Sequence, residues 1–294
     1  MARGKRNRFN IWDVLIYGVI GMLSVFFLYP IWYCLITSLS SGKALLRSLP
    51  LLWPRDFTFE AYRYIFTSEA NIFAYYRNTI FYAVVGTAIS LTLTSMMAYP
   101  FIVKDFIGKV FLNVYMVITM FFGGGLLPYF ILVSELGLRN TIWVMLIPGA
   151  VGAYTVIIFR TFFNSVPASL REAAYIDGAG HYRVLAQILV PVSKPLFATF
   201  ALFGMVGKWN EWFTPFLFIT REELKPIQVF LRESLVTING LADQFSVGKM
   251  AQLDILPQNI RTAIVIITIA PILCVYPFLQ KYFASGIMIG SIKA

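Results

Sequence analysis

The chain has 294 residues, 59% of them hydrophobic and only 13% charged, with a net charge of +10. A soluble domain carries about 25% charged residues, so this composition points to a membrane protein rather than a soluble enzyme. The basic residues are distributed over segments on both sides of the apolar runs, which argues against nucleic acid as a partner. His181 is the only histidine, which excludes a His-based catalytic or metal cluster. Cys34 and Cys274 fall inside apolar runs without metal-ligand spacing, and both read as small buried hydrophobes.

The N-terminal stretch carries Arg3, Lys5, Arg6 and Arg8 ahead of the first apolar run. That run is too long for a signal-peptide core and lacks a small-x-small cleavage site, so it reads as an uncleaved first span. Residues 14–42, 78–103, 110–134, 140–159 and 262–280 are free of Asp, Glu, Lys and Arg. A spanning helix needs roughly 20 apolar residues. Those five runs meet that length, and 195–219 meets it too, though Lys208 and Glu211 interrupt it. The expected fold is an all-α polytopic membrane protein, one domain over 1–294. Its six spans are expected at about 12–39, 76–102, 111–134, 141–163, 195–219 and 261–283. Segments 40–75 and 220–260 are then outer, and 164–194 is an inner loop. Lys and Arg divide evenly between the two sides, and acids contribute little to orientation. The basic cluster before the first span and the short loop 104–109 therefore place both termini in the cytosol.

In the first outer segment, Phe57-Thr58-Phe59-Glu60-Ala61-Tyr62 reads as the start of a short interfacial helix. The third span is interrupted by Gly123-Gly124-Gly125 and Pro128. Two readings stay open there: a hinge beside a pathway around Gly124, or a bend that allows close packing.

The inner loop contains Glu172-Ala173-Ala174-Tyr175-Ile176-Asp177-Gly178, then Ile188-Leu189-Val190-Pro191. Pro167 marks a helix start, Ser169 and Glu172 have capping-box spacing, and Gly178 and Gly180 mark its end. Ala173 and Ala174 let another surface approach the backbone. Val184, Leu185, Ile188 and Leu189 share one face of a second segment. A polar helix between membrane spans implies a soluble partner.

In the fifth span, Lys208, Trp209, Asn210 and Glu211 sit near the middle, where a charge costs roughly 2.5–3.5 kcal/mol. Lys208 and Glu211 are three apart and can face each other. Trp209, Asn210 and Glu211 read either as part of a translocation path or as a clamp between helices. No Gly-Lys pair is followed by Ser or Thr, so a phosphate-cradling loop is absent and ATP hydrolysis is not expected in this chain.

The inner loop closely resembles the coupling loop of bacterial ABC-importer permeases: Glu-Ala-Ala, three residues, Gly, nine residues, then Ile-x-Leu-Pro, with Val190 as the one departure. Further stretches resemble the carbohydrate-uptake branch, which includes maltose-type and complex-oligosaccharide permeases. They are Phe122 through Pro128, Gly137-Leu138-Arg139-Asn140-Thr141, Ala179-Gly180, Trp209-Asn210-Glu211-Trp212 and Tyr276 through Phe283. The resemblance implies a sugar-importing permease subunit of the cytoplasmic membrane, with Glu172, Ala173, Ala174, Asp177 and Gly178 coupling it to an ATPase. It implies two nucleotide-binding subunits that hold ATP and Mg, a second related permease or a copy of this one, and an external solute-binding protein. The chain itself would bind no cofactor. Two other functions fit the sequence less well. An ion-coupled secondary transporter fits poorly with few intramembrane acids and no clear repeat. A membrane-embedded glycosyl- or acyltransferase would need a catalytic cluster, and Asp56, Glu60, Glu69, Asp243 and Asp254 form no motif.

Overall fold

A computed structural model describes residues 11–48, 52–67, 71–241 and 254–291, with side chains over 11–48, 52–67, 71–236 and 254–274. The basic cluster before residue 11, Glu69, Asp243 and the side chains of Tyr276 through Phe283 lie outside those residues. Among the described residues every regular element is helical. By internal contacts the chain forms two compact units: 1–70 with 233–270, and 71–232 with 271–294.

In the first unit, α1 (Ile11–Ser38) is 28 residues long and almost wholly apolar. Leu15, Ile20, Phe26 and Phe27 are exposed along it, a surface suited to lipid. Its C-terminal end is the exception. Thr37 and Ser38 are buried there, and Asn259 donates to the carbonyls of Thr37 (2.9 Å) and Ser40 (2.7 Å). A buried amide that satisfies two carbonyls fixes where α1 ends. Next comes α2 (Gly42–Arg47), capped by Ser41 and not anticipated from sequence. The Gly42 N–H donates to Asp254 O at 2.8 Å, and a Cβ on Gly42 would meet that oxygen at 2.8 Å. The expected interfacial helix is α3 (Glu60–Thr67), set down on Ala61 and Ile65.

In the second unit, α4 (Ile72–Ala98) continues into a 3₁₀ turn, Tyr99–Ile102, where Pro100 cannot donate to the α ladder. The third span is not continuous. It is α5 (Lys109–Phe121) and α6 (Leu126–Glu135), bent by 119° at the three glycines, with Gly125 at φ +82°. Left-handed backbone there is what glycine permits at low cost. The region expected as a fourth span is also divided, into α7 (Trp143–Leu146) and α8 (Ala153–Ser165), around Pro148 and Gly149 at φ +70°, and neither piece is long enough to cross a membrane. The inner loop holds α9 (Ala168–Ile176) and α10 (His181–Val184). A π-helical stretch, Leu185–Leu189, leads into α11 (Val190–Val192). The fifth span starts as α12 (Lys194–Trp209), stops at Asn210 and resumes as α13 (Phe213–Phe218). The sequence marks the first of these breaks, at Gly123-Gly124-Gly125, and suggests one helix in each of the other two places. Apolar length does not reveal where glycine or proline breaks the ladder. Among the described residues three helices are long and apolar enough to cross a membrane, and up to five if two bent pairs each count as one span: α5 with α6, and His181–Val192 with α12, which are bent by 84°.

The edge of this unit around Asn78 and Asn140 is stapled by backbone capture. Asn78 donates to Glu223 O (2.7 Å) and Lys225 O (3.1 Å), and Tyr82 donates to Leu224 O (2.9 Å). Asn140, at φ +57°, accepts from the N–H groups of Thr220 (2.6 Å) and Arg221 (3.3 Å). Lys225 is buried and paired with Glu222 at 2.5 Å, and Tyr75 donates to the same carboxylate at 2.7 Å. Burial pushes the Glu222 carboxyl up, but the bonds from Lys225 and Tyr75 outweigh it and hold the group below its ordinary value. The helix α14 (Ile227–Leu241) contributes 227–232 to this unit and 233–241 to the first. The last helix, α15 (Pro257–Ser291), contributes 257–270 to the first unit and 271–291 to the second. Cys34 is half-buried and Cys274 exposed, so the second is not the buried small group expected.

The α4–α12 contact depends on small residues. A Cβ on Gly204 would meet Thr87 Cγ2 at 2.8 Å and Oγ1 at 2.9 Å. Membrane helices gain packing where small residues let them approach closely. Gly204→Ala should therefore lower the melting temperature of the purified complex, at a cost of about 1–3 kcal/mol. Gly207→Ala, whose Cβ would meet nothing within 4 Å, should behave like wild type. An unshifted melting temperature in Gly204→Ala would show that the two helices are not held that close.

Candidate functional site

Two places in the second unit gather the residues that the sequence singled out. The first is the inner loop. The helix α9 starts after Pro167 and ends at Asp177, and Gly178 then turns the chain at φ +76°. Its last carbonyls are satisfied by Asp177 N–H to Ala173 O (3.0 Å), Ala179 N–H to Ala174 O (2.9 Å) and Gly178 N–H to Tyr175 O (3.0 Å). This is the glycine-terminated end expected. The capping box does not form. Ser169 lies within the helix, and Glu172 reaches Lys104 at 3.6 Å instead. Both partners of that pair are exposed, so it contributes little.

Two polar anchors fix α9 from its inner side. Arg171 donates to Ile102 O at 3.0 Å, tying the helix to the end of the 3₁₀ turn. Tyr99 shares a 2.7 Å hydrogen bond with Tyr175 and a 2.9 Å bond with His181 Nδ1, and Tyr175 lies 3.2 Å from the same nitrogen. One phenol at the end of α4 thus holds both sides of the Gly178 turn. Sequence reading missed this triangle. The lone histidine three residues past Gly178 was the only signal for it. Beyond the turn, Val184, Leu185 and Leu189 are buried with Phe159 and Phe163 in one apolar cluster. The Val190 N–H reaches back five residues to Leu185 O. Such π turns recur where a helix is locally re-aimed. No residue of α9 is buried, whereas this following segment is embedded in the core. Glu172, Ala173, Asp177 and Gly178 are exposed, Ala174 packs on the core, and Ile176 is 87% exposed.

The second place is a cavity of about 580 Å³ between α4, α6, α7 and α12. Lys208 and Glu211 line it with Thr87, Ser90, Tyr129 and Thr214. Lys208 and Glu211 face the same cavity and interact electrostatically as expected, though not as a contact ion pair. Lys208 Nζ donates to Met145 O at 2.7 Å, and Glu211 Oε1 accepts from Thr214 N–H at 2.9 Å. The helix break after α12 causes this. It leaves N–H groups of the next turn without partners, and the nearest carboxylate takes one of them. Of the other expected path residues, Trp209 and Asn210 are not among the cavity's lining. Trp209 sits 6.3 Å from the Tyr76 ring, and the exposed Asn210 accepts from Gln228 at 3.5 Å. Gly124 lies at the α5–α6 bend with nothing within 4 Å of a would-be Cβ, also away from the cavity. Thr87, Ser90 and Tyr129 were missed in sequence because hydroxyls on apolar helices are common. The useful signal was Gly86 and Gly204, which make room on facing helices.

This combination of bent, apolar helices, a protruding polar helix and a polar cavity among them defines a membrane transport subunit. Over residues 1–289 the chain matches the family described as "Binding-protein-dependent transport system inner membrane component", and it belongs to that family. It is 36% identical over 289 residues to the polygalacturonan/rhamnogalacturonan transport system permease protein YtcP of Bacillus subtilis (strain 168), covering 98% of this chain and 99% of that one. It is 37% identical over 287 residues to protein LplC of the same organism, with 97% and 95% covered. Among solved structures it is similar to a bacterial ABC transporter involved in the import of the acidic polysaccharide alginate. The TM-score is 0.86 and the identity 31%, with 96% of this chain and 99% of that chain covered. The chain is a multi-pass membrane permease subunit and not an enzyme, and the secondary-transporter and transferase readings are set aside.

The geometry of the turn makes a local prediction. Tyr99→Phe removes the hydroxyl that both Tyr175 and His181 engage. Each such bond is worth about 0.5–1.5 kcal/mol. Amide exchange over 168–180 is expected to quicken several-fold in the variant, with exchange in α4 unchanged. Identical exchange in both proteins would mean that the triangle does not hold the turn.

Proposed function

We propose that this chain is one of two permeases in an ATP-driven importer that takes an oligosaccharide from an external solute-binding protein and passes it across the cytoplasmic membrane by alternating access. The family supports the transport role, and the names of its relatives support a carbohydrate cargo. The whole chain acts as one permease domain of six spans: three continuous helices, the two bent pairs, and the divided 143–165 region. Both termini face the cytosol. The partner permease is a related but different chain. Two ATPase subunits hold the ATP and Mg, and this chain binds neither.

The observation that carries the mechanism is the contrast at Gly178. A helix with no buried residue stands on one side of the turn, and a segment embedded in the core stands on the other. Glu172, Ala173, Ala174, Asp177 and Gly178 form the coupling element that seats on an ATPase. Glu172 bonds to it, the two alanines allow close approach, and Gly178 sets the direction of the chain. When the ATPases close, the push on α9 passes through the turn and the π stretch into α12. The cavity at Glu211 is part of the cargo path. Trp209 and Asn210 stand on the face toward the partner permease, and Gly124 marks the bend where the third span yields.

The test is ATP hydrolysis by the whole complex in liposomes with binding protein and oligosaccharide. Wild type is expected to show cargo-stimulated hydrolysis. A β-branched residue is a strong outlier at positive φ, so Gly178→Val should abolish that stimulation while assembly persists. Stimulation that survives in Gly178→Val would contradict coupling through this turn. Uptake stopped by a protonophore but not by ATP depletion would contradict the importer itself.

A further inference from the structure

The end of the second unit that carries α9 holds a cluster of hydrogen-bond donors away from the cavity. Arg160 stands near the end of α8, and α9 begins just beyond. Its Nη1 donates to Asn113 Oδ1 on α5 at 2.8 Å, and its guanidinium lies over the Phe101 ring, 5.5 Å from the centroid. Phe101 is buried, so one face of the guanidinium is fixed against the core and its edge remains available. A guanidinium carries five N–H donors. Among the described residues Arg160 has that one acceptor and no ion pair. Asn113 gives its oxygen to Arg160, which leaves its amide hydrogens for another acceptor. Lys109, the first residue of α5, lies one turn before Asn113 on the same face. It too makes no ion pair among the described residues. Of the carboxylates at this end, Glu172 is paired with Lys104 at 3.6 Å, and Asp105 forms no ion pair.

The surroundings of the cluster select the anion. Ile107, Val110, Phe111 and Val114, on both sides of Lys109, are exposed and apolar, a surface suited to acyl chains. The cations therefore stand where a span meets the headgroups. Basic pockets between membrane helices on the cytoplasmic side suit lipid phosphates, and that leaflet is the anionic one. A zwitterionic headgroup brings its own cation, so two cations of the protein favour a headgroup with net negative charge.

We propose that Arg160, Lys109 and Asn113 form a binding site for the phosphate of an anionic phospholipid. The site is joined to α9. Phe101, under Arg160, belongs to the 3₁₀ turn whose Ile102 carbonyl accepts from Arg171 at 3.0 Å. A bound lipid braces the turn against which α9 is held, and so regulates coupling to the ATPase. That consequence, and the choice of leaflet, rest on the importer reading above.

The experiment places the assembled complex in nanodiscs of phosphatidylcholine with rising fractions of phosphatidylglycerol. Lipid retained by the complex is counted by native mass spectrometry, and cargo-stimulated ATP hydrolysis is followed in the same discs. Wild type is expected to retain phosphatidylglycerol in preference to phosphatidylcholine. Lys109→Gln should raise the phosphatidylglycerol fraction for half-maximal retention about fivefold. Arg160→Gln should raise it further, and Arg160→Lys should restore part of the loss. Hydrolysis should shift along the same axis, with its maximum unchanged. Arg47→Gln, exposed in the first unit, should retain lipid like wild type. Because the Lys109 side chain holds no ion pair, its variant tests the site even where Arg160→Gln fails to assemble. Equal retention in wild type and Lys109→Gln would overturn the site, and so would equal retention of the two lipids. Displacement of phosphatidylglycerol by inorganic phosphate would assign the cluster to a free anion and overturn the lipid. Retention that shifts with no shift in hydrolysis would overturn the brace. Intact, Lys109-dependent retention with no cargo-stimulated hydrolysis in any lipid would overturn the importer reading and leave the lipid site standing.

Discussion

The second unit depends on how closely α12 lies against α4. Gly204 faces Thr87 at a distance no side chain could share, and four residues along α12 the stem of Lys208 runs past Gly86. In a bilayer, water gives no hydrophobic push between helices, so close backbone approach supplies the attraction instead. The same glycines that allow it leave space for the cavity. Packing and path thus come from one arrangement, and a methyl group at Gly204 would disturb both.

The breaks in the other spans follow from the same economy. Irregular backbone at membrane depth persists only where protein or water satisfies it. At the end of α12 the carboxylate of Glu211 caps the next turn, and Asn140 does similar work at the edge of the unit by accepting from Thr220 and Arg221. These caps let a span change direction without leaving a polar group bare. On the opposite side, Tyr99 and Arg171 hold α9 against the end of α4, and the Val184–Leu189 segment is locked among Phe159 and Phe163. A force applied to α9 therefore meets a stiff apolar cluster rather than a slack loop.

Much of this was legible in the sequence, and the reasons for the rest are physical. Charge-free length located α1 and α4 to within a few residues, because an uninterrupted apolar run has no cheaper structure in lipid. The end of α9 was legible because a glycine at positive φ leaves a strong local signature. The glycine run marks the break at Gly125 in advance and leaves open only whether it is a hinge or a bend, whereas the breaks at Gly149 and Asn210 carry no such mark. Glycine and proline are common in membrane helices, and whether one breaks the ladder depends on partners from distant segments. Lys208 and Glu211 share the cavity but make no contact pair for the same reason. Helical spacing brings the two together only if the helix continues, and it stops between them at Asn210. Thr87 and Tyr99 could not be identified in advance, because their importance comes from what other helices place opposite them.

The central claim is that α9 is the surface an ATPase presses on. The most direct measurement places a cysteine at Ala173, with Cys34 and Cys274 replaced, and follows crosslinking to the ATPase subunits in the intact complex. The account predicts a crosslink from Ala173→Cys whose yield changes when nucleotide is bound, and none from a cysteine placed on the lipid-facing side of α1 at Phe26. A complex that assembles and transports but gives no crosslink at position 173 in any nucleotide state would contradict it.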